Sequence, residues 1–104
     1  MRKSKGSGKV AKSILQDKKE CWFCHSERNL HRHHVFYGTA NRRLSEKYGC
    51  WVYLCPFHHN MSNFAVHFSK VMDYDLKTAC QLAFEHTYHV SREEFIRIFG
   101  RSWL

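Results

Sequence analysis

A small α+β domain is the fold class the sequence predicts, with two short strands, helices after them and a metal-binding knuckle stapling the whole. Three observations predict it. Cys21-x-x-Cys24 and Cys55-x-x-His58 are two ligand pairs at the spacing that lets one tight turn aim two side chains at one ion. Cys50-Trp51-Val52-Tyr53-Leu54-Cys55 is dense in the aromatic and β-branched residues that suit a pleated surface. Beyond Asp75, apolar residues recur at helical spacing.

In chain order, residues 1–20 read as a basic flexible N-terminal arm around Gly6, Ser7 and Gly8, in which Val10, Ala11, Ile14 and Leu15 can form one helical turn against a partner. The folded domain is expected over 21–104, with a zinc-bound core at about 21–70 and a helical extension at about 73–104. Val35-Phe36-Tyr37 is the first strand, closed by Gly38. Residues 39–49, polar and basic around Leu44, can hold a short helix ending at Gly49. After the strand 50–55, Pro56 stands where a helix starts, and that helix is expected from Phe57 to about Val71. A second helix spans Asp75 to His86, with Leu76, Ala79, Cys80, Ala83 and Phe84 on one face. Ser91-Arg92-Glu93-Glu94 has the capping-box pattern. It predicts a last helix with Phe95, Ile96 and Phe99 inward and Gly100 at its end.

A chain of 104 residues has a thin core, and domains of this size usually rely on a staple. Five cysteines and nine histidines can supply one. The N-terminal residues carry charge but no apolar run of signal-peptide length, and no stretch is long enough to span a bilayer. A cytoplasmic location, in a bacterial or phage-infected cell, is therefore expected, with no membrane partner. There an odd number of cysteines favours metal over disulfide. The formal charge is +8, and residues 1–20 hold seven Lys/Arg against Asp17 and Glu20. Such an arm suits a polyanion, DNA or RNA, where each phosphate contact releases counterions. The blander reading is a solubilising tail.

For the staple, Cys21, Cys24, Cys55 and His58 are preferred as structural zinc ligands. Cys50 is a rival to His58 but lies a strand length away. Cys50 and Cys80 otherwise read as small buried hydrophobes. Cys21-Trp22-Phe23-Cys24-His25 also satisfies the C-x-x-C-H pattern of haem attachment, which would leave Cys55, His58 and the remaining histidines without a purpose. No βαβ pattern surrounds the pair to support a thioredoxin-like site.

His31-Arg32-His33-His34 precedes the first strand, and His58-His59-Asn60 opens the helix after the second. This order, a Cys-x-x-Cys, then His-His, then a strand ending Leu-Cys-x-x-His-His, resembles the HNH family of His-Me finger nucleases. It is most similar to the zinc-containing ββα-metal members common in phages and prophages. The resemblance covers about Cys21 to His67. It implies an endonuclease that hydrolyses phosphodiester bonds in DNA, leaving 5′-phosphate ends, with one catalytic divalent metal ion besides the structural zinc. The expected ion is Mg²⁺ or Mn²⁺, with Zn²⁺ or Ni²⁺ as substitutes. His34 would be the general base, His33 and His59 ligands of the catalytic metal, and Asn63 and His67 further candidates for that ion. A neutral imidazole suits proton abstraction near pH 7.

The family's middle Asn is missing, since Cys50 stands at its position, and Asn41 is the candidate substitute. Arg32, Arg42, Arg43 and Lys47 are candidate phosphate contacts. His67 reads equally well as a partly buried histidine between Phe64 and Phe68, His31 as a neighbour of the site or an exposed residue, and His86 and His89 as helix-end residues. Trp22, Phe23, Trp51 and Tyr53 read as packing around the zinc. The alternative to an enzyme is a catalytically inactive, zinc-stabilised nucleic-acid-binding module. The C-terminal helices could complete the core, recognise branched DNA or form a homodimer interface.

Overall fold

The computed structural model describes residues 10–104. Its elements are β1 (His31–His34), α1 (Thr39–Tyr48), β2 (Trp51–Leu54), α2 (Pro56–His59), α3 (Lys70–Tyr88) and α4 (Arg92–Phe99). The strands pair antiparallel, His31 opposite Leu54 and His34 opposite Trp51. Alternation then divides the sheet: His31, His33, Val52 and Leu54 share one face, and Arg32, His34, Trp51 and Tyr53 the other.

β1 lies on the histidines, not on Val35-Phe36-Tyr37 as the residue types suggest. Val35 and Phe36 are instead buried pegs, and the Phe36 ring packs 5.3 Å from that of Phe95 and 4.7 Å from that of Phe99. The backbone at Phe36 is taken by α1: Ser45 Oγ donates to its carbonyl at 2.7 Å and accepts from its N–H at 3.3 Å. A residue whose backbone is bonded to a serine has nothing left for a ladder.

α1 ends as expected at Gly49, left-handed at φ 76°, whose N–H donates to the Ser45 carbonyl. Residues 10–20, expected as part of a basic flexible arm, form an irregular strap along the outer edge of β2. Ser13 Oγ donates to the Trp51 carbonyl (2.6 Å), the Tyr53 N–H donates to Gln16 Oε1 (2.8 Å), and the Trp22 N–H donates to the Tyr53 carbonyl (2.9 Å). Gly6, Ser7 and Gly8 lie outside the described residues. The strap passes so close to Gly49 that a Cβ there would strike the Lys12 carbonyl. Gly49→Ala is therefore expected to cost about 1–3 kcal/mol, read as a lower midpoint in urea denaturation.

The helix expected from Phe57 to Val71 stops at His59. Phe57, Met61, Phe64 and Phe68 fall at helical spacing, yet all four are exposed. Ser62 Oγ donates to the Phe57 carbonyl (2.6 Å) and accepts from the Phe64 N–H (3.1 Å), which turns the chain. It then folds back over α2: the Val66 N–H donates to the His58 carbonyl and the His67 N–H to that of His59. Ala65 and Val66 enter the core by this route.

α3 starts earlier and ends later than expected, capped by Ser69 Oγ on the Met72 N–H and closed by His89 at φ 56°. Leu76, Cys80 and Phe84 of the expected face are buried, Ala79 and Ala83 partly so, and Lys77 and Gln81 are buried beside them. Buried Gln81 accepts from the Trp103 N–H (2.6 Å) and donates to Ser102 Oγ (3.0 Å), docking the C-terminal residues on α3. In α4, Phe95 and Phe99 are buried, while Ile96, expected inward, is exposed. The rings of Phe84, Phe95 and Phe99 lie within 5.5 Å of one another, so the C-terminal helices complete the core. No helix among the described residues is long and apolar enough to cross a membrane.

Candidate metal centres and the histidine cleft

The knuckle turn is held by two backbone bonds, the Cys21 N–H to the Ser26 carbonyl and the His25 N–H to the Cys21 carbonyl. It carries Cys21 and Cys24 to the end of β2 and the start of α2, where Cys55 and His58 stand. Cys21 Sγ lies 3.6 Å from His58 Nδ1, Cys55 Sγ 3.4 Å from the same atom, and Cys24 Sγ 3.6 Å from Cys55 Sγ. All four donor atoms fall within 4.8 Å of one another. Zinc–sulfur bonds of about 2.3 Å in a tetrahedron set the ligand atoms roughly 3.7 Å apart, so this donor set fits a structural ion such as zinc. Cys50, the rival ligand, is buried against Cys80, and burial pushes the Cys80 thiol well up. His25 turns away to Glu20 (2.7 Å), which leaves the haem pattern without its axial residue.

A second cluster joins three elements. His33 comes from β1, His59 from α2 and His67 from the returning segment, with donor atoms within 4.8 Å of one another. The ring centroids of His33 and His59 are 5.4 Å apart, and those of His59 and His67 are 4.7 Å apart. His59 is engaged at both nitrogens, Nε2 with His67 Nε2 at 3.1 Å and Nδ1 with His31 Nδ1 at 2.9 Å. His33 is 4% exposed, and its Nε2 is buried with no hydrogen-bond partner. A buried orphan of this kind calls for an explanation, and a cation between the three rings supplies one. Burial, then the charges of His59, His67, His34 and Lys77, draw His33 down to about 3. Burial, then His67 and His31, draw His59 down to about 4. Both shifts favour the neutral imidazole, the form that can ligate a metal ion. Three imidazoles suit a borderline ion such as Zn²⁺ or Ni²⁺ better than oxygen-seeking Mg²⁺.

His34, at the end of β1, opens into the same cleft of about 140 Å³ as His33, His59 and His67. Arg32, Arg42 and Tyr37 complete its lining. Its Nε2 lies 2.9 Å from Glu46 Oε2 on α1.

Other candidates lie elsewhere. Asn41 faces away, its Nδ2 donating to the Phe99 carbonyl at 3.2 Å, so it braces α4 and does not hold the His34 loop. Asn63 is exposed on a turn, because the helix that would have aimed it at the cluster is absent. Arg43 borders a neighbouring pocket with Thr39, Arg42 and Glu46. Lys47 is exposed, with its ammonium 5.2 Å from the Tyr48 ring. Arg32 also lies over the Trp51 ring, 4.6 Å from its centroid. Glu46 was not singled out from the sequence. The available signal was its place on the α1 face shared with Arg42 and Arg43, four and three residues earlier.

The fold and these clusters define a small α+β protein whose Cys/His site can hold a structural metal ion and whose separate histidine cleft lies between β1, α1 and α2. No protein-family model, curated protein or solved structure matches the chain.

Proposed function

We propose that this protein is a metal-dependent endonuclease of the HNH kind, with the ββα-metal finger spanning β1, β2 and α2, acting on phosphodiester bonds in DNA. The observation that carries this reading is the meeting of His34 with the His33, His59 and His67 cluster in one cleft edged by arginines. His33, His59 and His67 would hold the catalytic ion, with His31 orienting His59 from behind. A divalent ion there supplies positive charge to the scissile phosphate and the leaving 3′-oxygen. Arg32 and Arg42 bind the phosphate oxygens and set the strand across the cleft. His34 takes a proton from the attacking water as the water oxygen bonds to phosphorus and the P–O3′ bond breaks. With few side chains placed to read base edges, sequence preference should be weak and affinity sensitive to salt.

Incubation of supercoiled plasmid with the purified protein and Mn²⁺, Ni²⁺, Zn²⁺ or Mg²⁺, with EDTA as control, tests this. Nicked and linear products that require the ion and carry 5′-phosphates are expected, with Mg²⁺ among the weaker activators. An inert protein with every ion would overturn the reading.

A further inference from the structure

We propose that Glu46 is the positioning residue for His34, fixing that ring as the Nε2–H tautomer so that Nδ1 carries the lone pair. The inference rests on the nuclease reading given above. An ionised carboxylate can only accept, and Glu46 Oε2 lies 2.9 Å from His34 Nε2. The proton on the imidazole is then on Nε2, and the ring's other nitrogen is left to act. The two groups come from different elements, His34 from the end of β1 and Glu46 from the last turn of α1. The bond therefore ties the cleft side chain to the helix behind it.

Two further observations give the pair its meaning. Glu46 shares a pocket with Arg42 and Arg43, natural partners for a carboxylate, yet among the described residues its side-chain hydrogen-bond partner is His34. Its own place is fixed as well, because the Ala11 N–H of the strap donates to the Glu46 carbonyl at 2.9 Å. Asn41, the sequence's nearest candidate for bracing this histidine, is committed to α4. Glu46 fills a position that no asparagine fills here.

The test uses the full chain with its zinc in place. Long-range ¹H–¹⁵N correlation spectra report each histidine's tautomer, His34 being assigned by its loss in His34→Ala, and plasmid cleavage is followed in parallel. The expected result is an Nε2–H tautomer at His34 that loses its dominance in Glu46→Ala. The turnover rate should fall about 10–100-fold, the usual effect of losing a partner behind an active imidazole, with KM within about twofold. Glu46→Gln, whose amide oxygen still accepts from Nε2–H, should keep the tautomer and recover part of the rate. It also serves if the alanine variant folds poorly. Active wild-type protein with Glu46→Ala unchanged in both rate and tautomer would overturn the role of Glu46 and leave the nuclease reading standing. Wild-type protein inert with every ion would remove both.

Discussion

A His34→Ala variant is expected to cleave plasmid roughly 10²–10⁴-fold more slowly than the parent, the range a general base contributes. Its fold, zinc content and DNA retention should be unchanged. The side chain stands at the end of β1, bonded to Glu46 and outside the apolar core cluster, so its loss leaves that cluster intact. The DNA contacts assigned to Arg32 and Arg42 remain, which separates cleavage from binding in a way that mutation of the arginines would not. Parent and variant that both retard DNA in a gel but never cut would favour the zinc-stabilised binding module. Equal cutting by both would move the base to another residue of the cleft, with His33 tested next.

Stripping the ion from Cys21, Cys24, Cys55 and His58 is expected to unfold the chain. Structural zinc in small domains contributes about 10–16 kcal/mol of apparent binding free energy at neutral pH, more than the whole stability of a typical domain. Cys21 and Cys55 are buried in the same core as Val52 and Leu54, so the ion joins the knuckle, β2 and α2 at one point. Chelation should collapse the near-UV circular dichroism in one cooperative step, and added zinc should restore it. Cys55→Ser should reproduce the loss without chelator. A Cys80→Ser variant, altering a cysteine outside the cluster, should retain zinc in full. Retention of native dispersion after complete metal removal, verified by elemental analysis, would refute this assignment.

The Cys21, Cys24, Cys55 and His58 cluster was legible in the sequence because its chemistry is local: two pairs at fixed spacing need only one turn each. The meeting of His33 and His59 was legible from their order around the strands. Ser91, Gly49 and Gly100 marked helix ends through cap chemistry that acts within a few residues. What misled was local residue type read without knowledge of what it faces. Pro56 does start a helix, but Ser62 turns the chain after His59, and Phe57, Met61, Phe64 and Phe68 lie exposed. Val35 and Phe36 look like strand, but Ser45, nine residues away, takes the backbone of Phe36. Glu46 and His31 gain their roles only when α1 and α2 are brought to the strand, and spacing alone does not report such meetings.

The strap of residues 10–20 has a consequence for how the protein behaves at high concentration. β2 would otherwise present Trp51 and Tyr53 with free carbonyls and a free N–H along a row of aromatic side chains, the kind of border onto which another chain can add a strand. Ser13, Gln16 and Trp22 occupy those groups one by one. A chain begun at Cys21 would keep the cleft and the zinc ligands yet lose two of these three covers. Such a chain is expected to self-associate through its sheets, read as a larger apparent mass in solution than that of the full chain.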